Sequence, residues 1–325
     1  MQRRQFLFAT LALAGAAKAA QGPGGALVWQ QRALLGLGTT LTLRAAHADA
    51  AQAERALDAA VQAIRQVEAA MNLHRDDSEL VRLNRQGFLD NPSNELLTVL
   101  NTAQYVSRRS GGLFDLSVQP LWSLYDQARQ EGRLPTSAEI VAARPRVGWR
   151  GLQISPQRIE LRRPGMALTC NGIAQGRATD AARQALQYHG VSNALINAGE
   201  FTSLGHNAQG QAWTLGIEDP RDESRLLTAL HNDGRSVATS ADNRSRFSAD
   251  HRHHHIFDPT TGDSPPALSS VTVLAPSAML ADALTKVMFV AGPRRIAALA
   301  RLWQVDVLWV DKQGLWQATP GLSLA

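Results

Sequence analysis

The sequence has 325 residues, 44% of them hydrophobic and 19% charged, the balance of an ordinary globular protein long enough to bury a large core. Its formal charge of +5 falls to about +2 once Arg3, Arg4 and Lys18, which lie in a segment expected to be removed, are set aside. With the arginines scattered among Asp and Glu rather than gathered in a run, this charge is too small to argue for nucleic-acid binding and reads as a solvated, mixed surface.

Residues 1–20, MQRRQFLFATLALAGAAKAA, have the three parts of an export signal: the Arg3-Arg4 pair, an apolar run from Phe6 to Ala17, and small residues before a cut. The run is too short to remain as a membrane span. Adjacent arginines followed by Gln5-Phe6-Leu7 fit the twin-arginine route, which carries folded proteins; a plain secretory signal with two arginines is the alternative. Cys170 is the single cysteine, so no internal disulfide forms, and none lies near the signal to carry a lipid. The expectation is a periplasmic protein without a membrane anchor of its own, with one domain over residues 26–325.

After the connector Gln21 to Gly25, the segment Leu35 to Leu43 reads as a strand interrupted by the turn signal Gly36-Leu37-Gly38. Helical spacing of Leu57, Val61, Ile64, Val67 and Met71 predicts a helix over 49–71. A second helix is expected from Asn94 to about Arg109, stopped by Gly111-Gly112. The polar stretch 127–150, with Pro135 and Pro145, reads as a helical surface excursion and a weak place for function. Beyond it, apolar runs at 195–197, 213–217, 271–274 and 305–310 alternate with helices at about 175–189 and 277–290, an α+β pattern without repeats or a domain linker.

Four segments carry unusual chemistry. SGGLFD, residues 110–115, is a paired-glycine turn backed by Asp115. NGIAQG, residues 171–176, precedes a helix whose first N–H groups could hold a phosphate oxygen, although a glycine at a helix start is more often structural. HIFDPTTG, residues 255–262, sets an imidazole before an Asp-Pro turn, or is simply a turn with an exposed histidine. Finally, Asp282 lies within the apolar helix segment ADALT, where an unpaired carboxylate is costly to bury; a hard cation such as Mg²⁺ is one candidate partner. The His251 to His255 run invites a transition-metal reading, but consecutive residues on an extended segment alternate faces rather than converge. Cys170 reads as a packed small residue.

In this order the segments resemble the FAD:protein FMN transferase family, also called the thiamine-biosynthesis lipoprotein family. The likeness runs from Gly38-Thr39-Thr40 to Gly292 and adds Asp77-Ser78-Glu79-Leu80 with Asn84, Asn197-Ala198-Gly199-Glu200 and Ala238-Thr239-Ser240. It implies a T-fold-like flavin transferase module of two lobes enclosing an FAD cleft. The implied reaction is Mg²⁺-dependent: FAD is cut at its pyrophosphate and FMN joined by a phosphoester to a Thr or Ser of an acceptor protein, expected to be a membrane redox protein, with AMP released. On that template His255 and Asp258 are the catalytic candidates. Gly38, Thr39, Asp115, Asn171, Gly172, Gln175, Gly176, Arg177, Asp180, Gly199, Glu200, Thr239, Ser240, His255 and Lys286 are candidates for the flavin cleft, and Asp282 with the carbonyl of Ala174 for the metal.

The sequence also departs from the family pattern. A threonine one turn after the metal aspartate is replaced by Lys286, a usual tyrosine by Arg177, a glycine by Ala241 and an aromatic by His74. Residues four apart share a helix face, so the Lys286 ammonium is expected beside Asp282, where Mg²⁺ would sit, while Thr285 is turned about 100° away. Arg177 and Lys286 then become two cations available to the diphosphate. Two rival readings follow: a non-catalytic FAD-binding or delivery protein, and an FAD diphosphatase that yields free FMN and AMP.

Overall fold

A computed structural model describes residues 27–325; the expected signal at 1–20 lies outside them. The chain begins with strands β1 (Val28–Gly36) and β2 (Thr39–His47), followed by helices α1 (Ala50–Met71) and α2 (Glu79–Gln86). Next come β3 (Phe88–Asp90), α3 (Asn94–Ser110), α4 (Gln119–Gln130), α5 (Ser137–Ala143), β4 (Leu152–Ile154) and β5 (Arg158–Leu161). Then follow α6 (Ala174–Tyr188), β6 (Asn193–Asn197), β7 (Phe201–Leu204), β8 (Thr214–Asp219), β9 (Asp222–His231), β10 (Ser236–Ala241) and β11 (Leu268–Ala275). The chain ends with α7 (Ala278–Ala291), α8 (Pro293–Trp303), β12 (Asp306–Asp311) and β13 (Trp316–Ala318).

Eight strands form one antiparallel sheet in the order β1-β2-β6-β7-β10-β11-β12-β13. Its two faces are covered differently. On one, α1, α6 and α7 seal the largest core, with Leu57, Ile64, Ala178, Leu284 and Phe289 against Leu43, Ile196 and Val273. On the other, the hairpin β8-β9 lays Leu215, Ile217 and Leu230 over Val237, Leu274 and Leu308. Strand β11 is therefore buried along its whole length, as a central strand covered on both faces must be.

The start of the chain differs from the single interrupted strand expected. The interruption is a hairpin, Gly36 pairing with Thr39 across Leu37 and Gly38, whose φ values of 51° and 79° are the left-handed pair that a two-residue turn needs. Helix α1 runs where its apolar spacing places it, begun by Asp49, whose carboxylate accepts from the N–H groups of Ala51 and Gln52. The polar stretch 127–150 is more than surface: its Ala143 and Val147 join Leu121, Tyr125 and Phe257 in a third cluster, packing beneath the loop that carries His255. Among the described residues no helix is long and apolar enough to cross a membrane.

Candidate active site

Helices α6 and α7 cross so closely that they define the site. A Cβ on Gly176 would lie 2.3 Å from the carbonyl oxygen of Ala278, so only glycine permits the approach. Ser277 caps α7 through the N–H of Leu280, and Asp180 adds to that cap, its two carboxylate oxygens accepting from the N–H groups of Ala278 (2.8 Å) and Met279 (2.9 Å). The approach brings the first turn of α6 against the first turn of α7, one turn before Asp282, which is fully buried.

Each oxygen of Asp282 has a partner. One accepts from the Lys286 ammonium a turn later on the same helix, and the other from the N–H of Gly176 at 3.1 Å. Lys286 keeps 19% of its side chain exposed, and its stem runs past Gly172, where a Cβ would lie 3.2 Å from Lys286 Cε and 3.5 Å from the Phe114 ring. Thr285 is turned inward: its hydroxyl donates to the Asp282 carbonyl at 2.6 Å and meets the Ser240 hydroxyl at 2.7 Å. Glu200 is buried in the same neighbourhood and accepts from the N–H of Thr239 at 3.3 Å; burial and the charge of Asp282 push its carboxyl well above the usual carboxylate range.

His255 stands on the loop between β10 and β11. Its Nδ1 lies 3.1 Å from the carbonyl oxygen of Ser245, which also accepts from the His255 backbone N–H at 2.9 Å. A carbonyl only accepts, so Nδ1 carries the proton and Nε2 presents a lone pair. Burial and the nearby positive charge of Lys286 lower the imidazole to about 4, so it is neutral at physiological pH. Asp258 closes the following turn, its carboxylate accepting from the N–H of Thr260 at 2.8 Å and its carbonyl from the N–H of Gly262.

The structure thus gathers Gly172, Gly176, Glu200, Thr239, Ser240, Asp282 and Lys286 about one helix crossing, with His255 within reach of the Lys286 charge. The hairpin tip joins them through Gln175: its amide donates to the Leu37 carbonyl at 3.2 Å, and its stem packs on Gly199, whose φ is 103°. Gly38 and Thr39 are exposed at that tip, and Asn171 is exposed ahead of α6. Ala174 is buried, its N–H donating to the Cys170 carbonyl.

Other predicted residues are tied elsewhere. Asp115 is buried within its own turn, accepting from Ser117 and from the N–H of Trp149 at 2.7 Å. Arg177 does not present a cation to the cleft, because both arms of its guanidinium hold the Glu95 carboxylate at 2.8 Å. The histidine run diverges as alternation requires: His253 pairs with Asp263, His254 is buried against Pro265, and His255 faces Ser245. No group of three His, Cys, Asp or Glu residues that could hold a metal occurs among the described residues. Burial pushes the Cys170 thiol up to about 12, which suits packing rather than nucleophilic attack.

Sequence reasoning missed Ser245 and Glu95. Ser245 acts through its backbone, which no side-chain pattern reveals, and Glu95 is an ordinary first-turn acid whose partner lies 82 positions away. Ser245 also lines a cavity of about 610 Å³ together with Trp122, Arg221, Arg246, Phe247 and His251. None of the residues predicted for the flavin cleft or for catalysis lines that cavity, which adjoins the site at Ser245.

Residues 37–309 match the family model described as the ApbE family. The chain is 33% identical over 259 residues to the FAD:protein FMN transferase of Vibrio cholerae serotype O1, with 77% of each chain covered. It is 28% identical over 256 residues to the protein of the same name from Salmonella typhimurium, covering 75% and 73%. The flavinyl transferase ApbE of Pseudomonas stutzeri superposes with a TM-score of 0.79 at 28% identity, over 91% of this chain and 95% of that one.

Proposed function

The chain belongs to the ApbE family, and from that premise we propose that it transfers FMN from FAD to a Thr or Ser hydroxyl of an acceptor protein, with release of AMP. The observation that carries this reading is a neutral His255, its Nδ1 proton fixed on Ser245, standing beside the charged α6 and α7 crossing. In the reaction the acceptor oxygen bonds to the FMN phosphorus and the P–O bond to the bridging oxygen breaks. AMP leaves with that electron pair, and the hydroxyl proton passes to His255 Nε2. Holding the diphosphate still and offsetting its charge supplies most of the barrier lowering.

Members of the family are expected to use Mg²⁺, which would draw charge from the diphosphate. The residues present here do not fit it. Mg²⁺ needs open oxygen ligands in near-octahedral order, whereas the Lys286 ammonium already sits on Asp282, a Gly176 N–H holds its other oxygen, and the Thr285 hydroxyl is turned to the Asp282 carbonyl and Ser240. The acceptor is proposed to be a redox protein at a membrane, and the twin-arginine signature at residues 1–20 supports export of the folded chain to the periplasm.

Incubation of the protein with FAD and an acceptor domain tests the reading through AMP release and the mass of the acceptor. Transfer gives AMP together with an FMN adduct, and His255→Ala keeps FAD binding while losing both. AMP without an adduct, or bound FAD with neither, identifies the diphosphatase or the binding protein and overturns it.

A further inference from the structure

The geometry points to Lys286 as the resident cation of this site: its ammonium, rather than a divalent ion, neutralises Asp282 and is the positive charge that the FAD diphosphate meets. The inference deepens the transferase reading and rests on it for the identity of the diphosphate. Three observations carry it.

The first is that a buried carboxylate in an apolar helix needs a counter-charge, and Asp282 already has one held by i,i+4 geometry, with its second oxygen closed by the Gly176 N–H. A metal at Asp282 would have to displace the ammonium. The second is that the surroundings are shaped to the lysine. Its stem and the Phe114 ring crowd the space that a side chain at residue 172 would need, and Thr285 points the other way into Ser240. Third, the ammonium is not sealed in: with 19% of its side chain exposed, Lys286 can reach an anionic ligand entering beside Gly172 while staying near Asp282. The second candidate cation, Arg177, is committed to Glu95, so it does not share this role.

The test compares wild-type protein with Lys286→Met and Lys286→Thr in EDTA and in MgCl₂, reading FAD affinity by flavin fluorescence and thermal unfolding with MgCl₂ alone. For the wild type, FAD affinity is expected to change less than about twofold between the two conditions, and Mg²⁺ alone to leave the unfolding temperature unchanged, because an ion that does not bind the native state cannot stabilise it. Lys286→Met is expected to weaken FAD binding by about tenfold or more in both conditions, the size of a lost charge-assisted contact. Lys286→Thr is expected to recover affinity only when Mg²⁺ is added.

A dose-dependent rise in wild-type unfolding temperature with Mg²⁺ alone, or loss of FAD binding in EDTA, would overturn the inference. If Lys286→Met does not fold, the wild-type titration decides by itself. Absence of FMN transfer with these binding results intact would strike the transferase reading and leave the lysine in place.

Discussion

Lys286 and His255 illustrate how a single charge sets the chemistry of its neighbours. The ammonium offsets the charge of Asp282 and, second to burial, helps lower the His255 imidazole to about 4. The lone pair needed to accept a proton is therefore present through the whole neutral range. For a base, activity is lost as pH falls through its pKa, so kcat/KM for transfer is expected to be half-maximal near pH 4 and level from about pH 5 to 8. Removing the positive neighbour in Lys286→Met should move that midpoint upward. A wild-type midpoint of about 6 or above would mean that the imidazole is not in the environment described. Much at this scale was legible from spacing alone: residues four apart on a helix predicted the contact between Asp282 and Lys286. The destination of Arg177 was not, because its partner Glu95 comes from a distant helix and leaves no local mark in the sequence.

Among the elements, the crossing of α6 and α7 matters most, and it depends on the absence of one methyl group. Gly176→Ala would place a Cβ 2.3 Å from the Ala278 carbonyl, in rigid backbone that cannot rotate aside. The substitution is expected to cost about 1–3 kcal/mol of stability, as overpacking does, and to weaken FAD binding by separating the Gly176 N–H from Asp282. Chemical denaturation with a flavin titration checks both, and an Ala variant with unchanged stability would contradict the packing. Helices with strong apolar spacing, α1, α3, α6 and α7, stand close to where periodicity put them. Some elements went unpredicted, among them α2, although the Ser78 cap and the left-handed Gly87 mark its ends, α8, although Pro293 opens it, and β9, whose strand form depends on pairing with β8. Some motif words have purely structural contacts here: Asn84 clamps both the N–H and the carbonyl of Leu168 just ahead of the NGIAQG loop, and Asp180 caps α7.

Across the whole molecule the eight-stranded sheet acts as the frame on which these parts are mounted. Its helical face carries the charged crossing, and the loop bearing His255 leaves from its central strands β10 and β11. That loop is braced from below by the third core, where Phe257 packs with Tyr125 and where Gly262, at φ 78°, lies against Leu121, Ile140 and Arg144. The stretch that looked like surface in the sequence thus supports the imidazole, a role invisible in its composition because the apolar residues are sparse and their partner is over a hundred positions away. The α+β class and the family were readable from ordered motifs, but the joining of distant loops into one site required coordinates. The account is tested most directly by the intact mass of an acceptor domain after incubation with the wild-type chain and FAD in EDTA. It predicts an acceptor heavier by one FMN moiety and an equivalent amount of AMP; an adduct that forms only after Mg²⁺ is restored, or unmodified acceptor with intact FAD in every condition, would contradict it.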